Sequence, residues 1–241
     1  VFRQSEGSLI AENAKRIRHG EPRLLFDHDF LFYDSSDAQQ SAAWLEQLYV
    51  QEVAQYGVDN VAMLTPYRKK TDTGVQALNA RLRERVNPAA PGKAELAIGK
   101  RFFRQGDKVM QTQNRDEVSN GDIGYITKIE RCEGSFLIEV DFGDGRIVPY
   151  EDMETLNRLE LAYATTIHKS QGAEYESVLI NIQQFHSRML KRPLFYTGIT
   201  RAKRRLLVIG EWDAIVRAIH TLDTEQRKTM LAARIVELNG M

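Results

Sequence analysis

Cysteine is almost absent from this chain of 241 residues, in which Cys132 is the only one. A single thiol cannot form an intrachain disulfide or a thiol-rich metal site. Long apolar runs are absent too, because no stretch approaches the roughly 18 residues that a membrane-spanning helix requires. The N-terminus lacks the charged and then apolar pattern of a secretory signal. These absences predict a cytoplasmic protein with no membrane partner, and because the chain begins at Val1 we expect it to be a piece of a longer protein.

Net charge is also absent, since 33 Lys and Arg side chains balance 33 Asp and Glu side chains. The total therefore points to neither a nucleic acid nor a membrane as partner. The distribution is uneven. Basic residues outnumber acidic ones by eleven to four over 61–110 and by eight to two over 161–210, whereas 21–60 and 130–160 are acidic. The two basic blocks either form one surface in the fold or are ordinary solvated faces, and charge alone leaves both open.

Hydrophobic periodicity predicts an α/β fold. With 42% hydrophobic residues, the chain can bury a core. Apolar residues recur at helical spacing in some segments and form short continuous runs, typical of buried parallel strands, in others. The predicted helices are 2–20, 38–56 and 74–86, and the predicted strands are 30–33, 61–64, 178–182 and 206–209. Segment 159–167 is compatible with either a helix or a strand.

The pattern changes between residues 95 and 152 to short β segments separated by turns. These segments are 107–112, 123–129, 136–142 and 146–149, with turn signals at Asn120-Gly121 and Gly143-Asp144-Gly145. Several short strands within about 55 residues are typical of a small SH3-like barrel. The sequence therefore predicts an α/β domain in two parts, 1–94 and 153–241, with a barrel inserted at 95–152.

One segment near the middle of the second part is rich in hydrogen-bonding side chains: Thr166-Ile167-His168-Lys169-Ser170-Gln171-Gly172-Ala173-Glu174-Tyr175. Such a run is poor core material, so it predicts a surface loop whose donors suit phosphates and sugars. The glycine permits a close backbone approach to a ligand. An ordinary polar loop is the alternative for any single residue here.

A second segment leads into an apolar strand: Leu194-Phe195-Tyr196-Thr197-Gly198-Ile199-Thr200-Arg201-Ala202-Lys203-Arg204-Arg205. A helix that presents Arg201 just before a buried strand can place a guanidinium at a domain edge. There a fixed cation stabilises the charge that develops on a transferring γ-phosphoryl group. A surface salt bridge is the ordinary alternative for a lone arginine.

These segments, together with two shorter ones, resemble motifs of the superfamily 1 helicases. The matches to motifs IV, IVa, V and VI are, in chain order, Phe2-Arg3-Gln4, Thr65-Pro66-Tyr67-Arg68, Thr166 to Tyr175 and Tyr196 to Arg201. The Ile-His-Lys-Ser-Gln-Gly form of motif V and the barrel inserted before it are most similar to the RecD/TraA-type branch, which includes the exodeoxyribonuclease V α subunit. Members of that branch generally move 5′ to 3′ on single-stranded DNA. The resemblance implies a RecA-like fold of the P-loop NTPase type, a parallel sheet with helices on both faces.

The resemblance implies a role for each matching residue. Arg3 and Arg201 would be the catalytic arginines that reach the ATP γ-phosphate, and Gln4, Gly172 and Glu174 would bind the nucleotide. The residues that would face DNA are Thr65, Pro66, Tyr67, Thr166, His168, Lys169 and Ser170. In the barrel the expected contacts are Arg101, Phe102, Phe103, Arg104 and Lys108. A barrel core surrounded by solvated basic residues is an equal alternative for this last set.

The sequence contains no Gly-x-x-x-x-Gly-Lys-Ser/Thr loop and no apolar run that ends in Asp-Glu. In the helicases that this chain resembles, those motifs lie on a preceding RecA-like domain, which would hold most of ATP and its Mg²⁺. That domain of the same parent chain is therefore an expected partner, with single-stranded DNA and possible nuclease or helicase subunits. We expect the fragment alone to hydrolyse ATP negligibly, and we predict no metal site in it.

Two other functions remain open from the sequence. The first is a non-catalytic module that binds single-stranded nucleic acid through the barrel and a basic α/β platform. The second is a helicase that acts on RNA, because contacts to phosphates and base faces do not separate DNA from RNA. The sequence also leaves open a role in repair, recombination or conjugation.

Overall fold

The chain folds around a five-stranded parallel sheet. The computed structural model describes residues 7–69, 71–99, 101–115 and 117–222. The sheet contains β1 (Phe30–Asp34), β2 (Val61–Thr65), β10 (Ala164–Thr166), β11 (Tyr175–Ile182) and β12 (Ala202–Gly210). They lie in the order β1-β12-β11-β2-β10, with every neighbouring pair parallel. This arrangement confirms the predicted RecA-like sheet.

Helices cover both faces of the sheet. One face carries α1 (Leu9–His19), α5 (Arg192–Ile199) and α6 (Trp212–His220), and the other carries α2 (Ala38–Tyr56) and α3 (Val75–Val86). Side chains of β11 alternate between the two layers, so Ile180 packs with the first set and Leu179 with the second. Buried residues on both faces explain why the central strands are continuous apolar runs. None of the helices described is long and apolar enough to cross a membrane.

The middle of the chain forms a separate β unit. It contains the hairpin of β3 (Glu95–Ile98) and β4 (Arg101–Arg104), followed by β5 (Lys108–Gln111), β6 (Ile123–Cys132), β7 (Ser135–Asp141) and β8 (Ile147–Tyr150). A short helix, α4 (Met153–Leu156), leads to β9 (Leu159–Leu161). The second sheet has the antiparallel order β8-β7-β6-β5-β9 and its own apolar core. Its last strand therefore comes from beyond residue 152.

The segment over 159–167, compatible with helix or strand in the sequence, forms two short strands in different sheets. β9 pairs with β5 of the barrel, and β10 pairs with β2 of the parallel sheet. Asn79 of α3 fixes the chain between them. Its side-chain amide donates to the carbonyls of Leu161 and Ala164 and accepts from the backbone N–H of Ala164. The short link between the two sheets is thus held by hydrogen bonds from one buried side chain of α3.

A buried carboxylate holds the barrel against the parallel domain. Asp107 is fully buried and accepts hydrogen bonds from the Asn87 amide at 2.9 Å, from the Tyr163 hydroxyl at 3.1 Å and from the backbone N–H of Arg104 at 2.8 Å. Burial raises the pKa of Asp107, while these donors lower it. Asn87 follows α3 and Tyr163 precedes β10, so the carboxylate bridges both domains.

Candidate nucleotide and nucleic-acid interface

The polar loop over 166–175 runs from one edge of the parallel sheet to the other. It leaves the carboxyl end of β10, where Thr166 is paired with Thr65 of β2, and it reaches the amino end of β11, where Tyr175 is paired with Ala202 of β12. Carboxyl ends of parallel strands share one edge, which is the usual ligand edge of such sheets. The loop therefore joins two surfaces that lie on opposite edges.

Buried anchors set the shape of this loop. Ile167 is fully buried in the core, and the Ser170 hydroxyl, also buried, donates to its carbonyl at 2.8 Å. His168 and Lys169, between them, are exposed. The Ser170 side chain, expected to face DNA, is thus turned into the loop, whereas the side chains of His168 and Lys169 remain accessible. Gly172 has a φ of 90°, a conformation that L side chains rarely adopt.

The guanidinium of Arg201 is bonded to the same loop. Its Nη1 donates to the carbonyl of Ala173 at 3.0 Å, and its Nε donates to the carbonyl of Thr197 in α5 at 3.1 Å. Its Nη2 lies 3.3 Å from the hydroxyl of Thr200. Within residues 7–69, 71–99, 101–115 and 117–222, no Asp or Glu lies within ion-pair distance of Arg201. Its charge is therefore oriented by neutral oxygens and is not neutralised by a described carboxylate.

A cavity lies at the amino edge of the sheet, near the start of β12. Its volume is about 350 Å³, and its walls are Gly7, Ser8, His28, Asp29, Tyr56, Lys203 and Arg204. Glu174, at the end of the polar loop, is half-buried, and its Oε2 lies 3.8 Å from Nζ of Lys203. The end of the polar loop and the start of β12 thus lie close to Gly7 and Ser8, which precede α1. Arg3 and Gln4 lie outside the described residues.

At the carboxyl edge, the segment after β2 lies beside the start of the polar loop. Thr65 and Pro66 are buried, and Tyr67 is half-buried with its ring in edge-on contact with His186, 5.0 Å between centroids. Next to them, the Thr166 hydroxyl accepts from the backbone N–H of Lys169 at 3.3 Å. Sequence motifs separated by a hundred residues are therefore neighbours, as the pairing of β2 with β10 requires.

Two residues at this edge, Arg68 and Glu160, had no role predicted from the sequence. Arg68 forms an ion pair with Glu160 of β9, and Nζ of Lys169 lies 3.7 Å from the other oxygen of that carboxylate. Arg68 was visible as the last residue of the Thr65-Pro66-Tyr67-Arg68 match. Glu160 gave no sequence signal, since it belongs to an acidic block in the printed sequence.

The barrel residues expected to contact DNA divide into buried and accessible ones. Phe103 and Arg104 are each 3% exposed. Phe103 lies in the barrel core, and the Arg104 guanidinium bonds to Glu95 at 2.6 Å and to Glu84 at 3.1 Å. Lys108 is 2% exposed, and its ammonium donates to the carbonyl of Val58. These three side chains serve packing and domain attachment in this structure, which favours the barrel-core alternative for them.

Arg101 and Phe102 remain accessible, on a groove of about 590 Å³ between α3 and the barrel. The guanidinium of Arg83 in α3 stacks on the ring of Phe102, 4.4 Å from its centroid. Arg101 donates to the carbonyls of Leu156 and Leu159 at 2.7 and 2.8 Å. An aromatic ring flanked by cations is a common surface for stacking nucleic-acid bases. Of the predicted barrel contacts, Arg101 and Phe102 therefore remain candidates, with Arg83 of α3 beside them.

Comparisons with known proteins agree with these features. Residues 78–142 match the family described as the SH3 domain of ATP-dependent RecD-like DNA helicases, and residues 161–209 match the UvrD-like helicase C-terminal domain. The chain is 34% identical over 237 residues to the ATP-dependent RecD2 DNA helicase of Deinococcus radiodurans, covering 98% of this chain and 31% of that protein. Over 105 residues it is 38% identical to the RecBCD enzyme subunit RecD of Mycobacterium tuberculosis, covering 42% of this chain and 16% of that one.

A solved structure of Pif1 helicase from Bacteroides, in complex with ADP-AlF3 and single-stranded DNA, has the same fold. Its TM-score is 0.51 at 15% identity, and the match covers 100% of this chain and 55% of that one. The chain thus spans about a third or less of the length of the curated relatives just described.

Proposed function

The chain belongs to the RecD-like branch of the superfamily 1 DNA helicases, and from that premise we propose that it supplies one wall of an ATP site and part of a single-stranded DNA track. In this proposal ATP binds between the parallel domain described above and a second RecA-like domain of the same parent protein. That second domain carries the phosphate-binding loop and holds Mg²⁺, which neutralises phosphate charge during transfer. The whole enzyme translocates on single-stranded DNA, 5′ to 3′, and unwinds duplex DNA.

The observation that carries the proposal is the environment of Arg201. Three neutral oxygens orient its guanidinium, and no described carboxylate neutralises it. A preorganised and uncompensated cation stabilises the charge that spreads over a γ-phosphoryl group in the transition state. We assign Arg3 as a second such arginine and Gln4 as a phosphate contact, from motif resemblance. Gly172 approaches the nucleotide with its backbone, and Glu174 accepts from the ribose.

On the opposite edge of the sheet, the proposed DNA track begins at the two adjacent strand ends. Its accessible members are Tyr67, Thr166, His168 and Lys169, extended across the groove by Lys69, Arg101 and Phe102, whereas Thr65 and Pro66, expected to face DNA, are buried and support the track from within. Ser170 supports the loop from within. Because phosphate contacts position a strand and aromatic faces stack bases, this set suits single-stranded nucleic acid without sequence preference.

The polar loop provides the proposed coupling between the two sites. Lys169 lies near its DNA end, whereas Ala173 lies near its nucleotide end and bonds to Arg201. If hydrolysis at the γ-phosphate moves Arg201, the polar loop would move with it. The proposed DNA contacts His168 and Lys169 lie only a few residues away in the same loop. Closure on ATP binding and opening after hydrolysis would then alter the grip on the strand.

Arginine substitution in the full-length protein tests the motor. Arg201→Ala should lower DNA-stimulated ATP hydrolysis by about 10³-fold or more, the usual effect of losing an arginine finger. Arg217→Ala is the matched control, since Arg217 is exposed on α6 and does not line the cavity at the amino edge of the sheet. Near-normal ATPase activity in Arg201→Ala would refute the assignment. A full-length protein that binds single strands but hydrolyses no ATP would instead indicate a non-catalytic binding module.

The nucleic-acid class and the direction of movement need separate assays. ATPase stimulation by a deoxythymidine oligonucleotide, compared with a uridine one of equal length, distinguishes DNA from RNA. Partial duplexes with a 5′ or a 3′ single-stranded tail then report direction, and we expect unwinding with the 5′ tail.

A further inference from the structure

One carboxylate, Glu160, lies between two cations at the proposed DNA edge. Arg68 contacts one of its oxygens, and Nζ of Lys169 lies 3.7 Å from the other. The three residues come from three different segments. Arg68 follows β2, Lys169 follows β10, and Glu160 lies in β9 opposite Met110 of β5. The carboxylate is therefore fixed to the barrel sheet, whereas both cations lie in loops of the parallel domain.

The cations around Glu160 form one electrostatic cluster. Burial lowers the pKa of Lys169, and the charge of Arg68 lowers it further. The same two effects, in the same order, lower the pKa of Arg101. Among the described residues that line the groove between α3 and the barrel, Glu160 is the one acidic side chain, beside Lys69, Arg83 and Arg101. A lone carboxylate among several cations resembles an anion in a binding site more than it resembles a balanced salt-bridge network.

These ion pairs are accessible to an incoming anion. The side chain of Arg68 is 49% exposed, that of Lys169 is 32% exposed and that of Glu160 is 21% exposed. Pairs exposed to this degree are screened by water and contribute little free energy. A DNA phosphate, with its full charge and several acceptor oxygens, can therefore compete for the same donors.

We propose that Arg68 and Lys169 form a binding site for one backbone phosphate of single-stranded DNA, and that Glu160 occupies this site when DNA is absent. The inference rests on the proposed function. Each phosphate that enters displaces the carboxylate, which stays close because its strand is paired in the barrel sheet. The site therefore holds a phosphate less tightly than two free cations would, which lets the strand advance from one phosphate to the next.

Glu160→Gln in the full-length protein tests the site, because the amide keeps the shape of the side chain and removes its charge. We expect affinity for a deoxythymidine oligonucleotide, measured by fluorescence anisotropy, to increase about threefold to tenfold. The slope of log K against log salt should steepen by about 0.7, the value for one additional net charge on a single strand. A merely structural role for Glu160 would not steepen that slope.

Glu130→Gln is the matched control. This substitution also removes one negative charge, and Glu130 also pairs with a lysine, since it lies 2.9 Å from Lys128. Glu130 lies on β6, however, outside the residues that line the groove. It should leave affinity and slope unchanged. A double variant, Glu160→Gln with Arg68→Ala, should lose the gain, because the gain requires the released cation.

The outcomes separate the two proposals. If the wild-type protein binds the oligonucleotide but Glu160→Gln binds it equally or more weakly, the phosphate-site inference fails and the motor assignment stands. If the wild-type protein binds no single-stranded DNA, both fail. Tighter binding with a steeper slope in Glu160→Gln alone supports the inference.

Discussion

The guanidinium of Arg201 and the carbonyl oxygen of Ala173 are joined by a 3.0 Å hydrogen bond. The bond connects the residue before β12 to the loop before β11, and a second bond runs back from the N–H of Tyr175 to the carbonyl of Arg201 at 2.9 Å. These two hydrogen bonds join segments that are 28 residues apart. We therefore expect any movement of Arg201 to move the loop with it.

The first prediction concerns the geometry of that arginine. Arg201→Lys keeps the charge, but a lysine ammonium cannot reproduce the planar fork that reaches Thr197, Ala173 and Thr200 together. We therefore expect DNA-stimulated ATPase activity of the full-length lysine variant to stay within about tenfold of the alanine variant, about 10²-fold or more below wild type. Steady-state ATP hydrolysis with saturating DNA measures this. Recovery to wild-type turnover would show that charge alone suffices.

The second prediction concerns Gly172, whose φ is 90° and whose absent side chain would meet no protein atom within 4 Å. The backbone conformation alone disfavours alanine, by about 1 kcal/mol. If nucleotide also approaches this backbone, any side chain will obstruct it. Gly172→Ala and Gly172→Asn should therefore both raise the KM for ATP, although asparagine tolerates positive φ better than alanine does. Normal KM in the asparagine variant would restrict the role of Gly172 to backbone conformation.

A glycine control separates these effects. Gly121 has a φ of 103° and likewise meets no atom within 4 Å of a built Cβ, but it lies in a barrel turn. Gly121→Ala should lower the free energy of unfolding by a similar amount and leave the KM for ATP unchanged.

The sequence predicted the parallel domain well because local signals set its elements. The second helix has the predicted bounds, 38–56, since Asp37 caps its first turn through a bond to Gln40 and Gly57 ends it. The strands are apolar because both faces are buried. The motif V segment is a loop, as its polar composition indicated.

Side-chain direction in the barrel could not be predicted in the same way. Phe102 and Phe103 are consecutive, and strand alternation sends one into the core and the other to the groove, but only register decides which. The burial of Arg104 depends on Glu84 in α3 and Glu95 in β3, whose approach is tertiary. Glu160 meets Arg68 across 92 positions of sequence for the same reason.

The third prediction concerns the attachment of the barrel. Tyr163→Phe removes the hydroxyl that donates to Asp107 and accepts from the backbone N–H of Lys108 at 3.2 Å. Both partners are buried, so each loses a bond without gaining water. We expect the free energy of unfolding, measured by urea titration, to fall by about 1–3 kcal/mol. Tyr33→Phe, on β1, is the control and should change it by less than about 0.5 kcal/mol.

The fourth prediction concerns pH. His186 is fully buried, and desolvation lowers its pKa to about 4. Its Nδ1 accepts from the backbone N–H of Gln183 at 3.1 Å, so a proton on that nitrogen would break the bond. The unfolded chain, with a pKa near 6.5, binds the proton first. The stabilisation is therefore complete above pH 6.5 and is lost as pH falls toward 4. Between pH 7 and pH 4.5, the lowered pKa of His186 should reduce the free energy of unfolding by about 2–3 kcal/mol.

Asparagine isolates that contribution from other titrating groups. In His186→Asn, the amide oxygen can accept from Gln183 as Nδ1 does, but the side chain does not titrate. In urea titrations between pH 7 and pH 4.5, the free energy of unfolding should fall by about 2–3 kcal/mol less in the variant than in the wild-type protein. His220→Asn, which removes an exposed imidazole, serves as the control. The ring of His186 supports Tyr67 at the proposed DNA edge and stays neutral in the folded protein until the pH approaches 4, so affinity of the wild-type protein for single strands should decline only near that pH. Parallel stability curves for wild type and His186→Asn would contradict the shift.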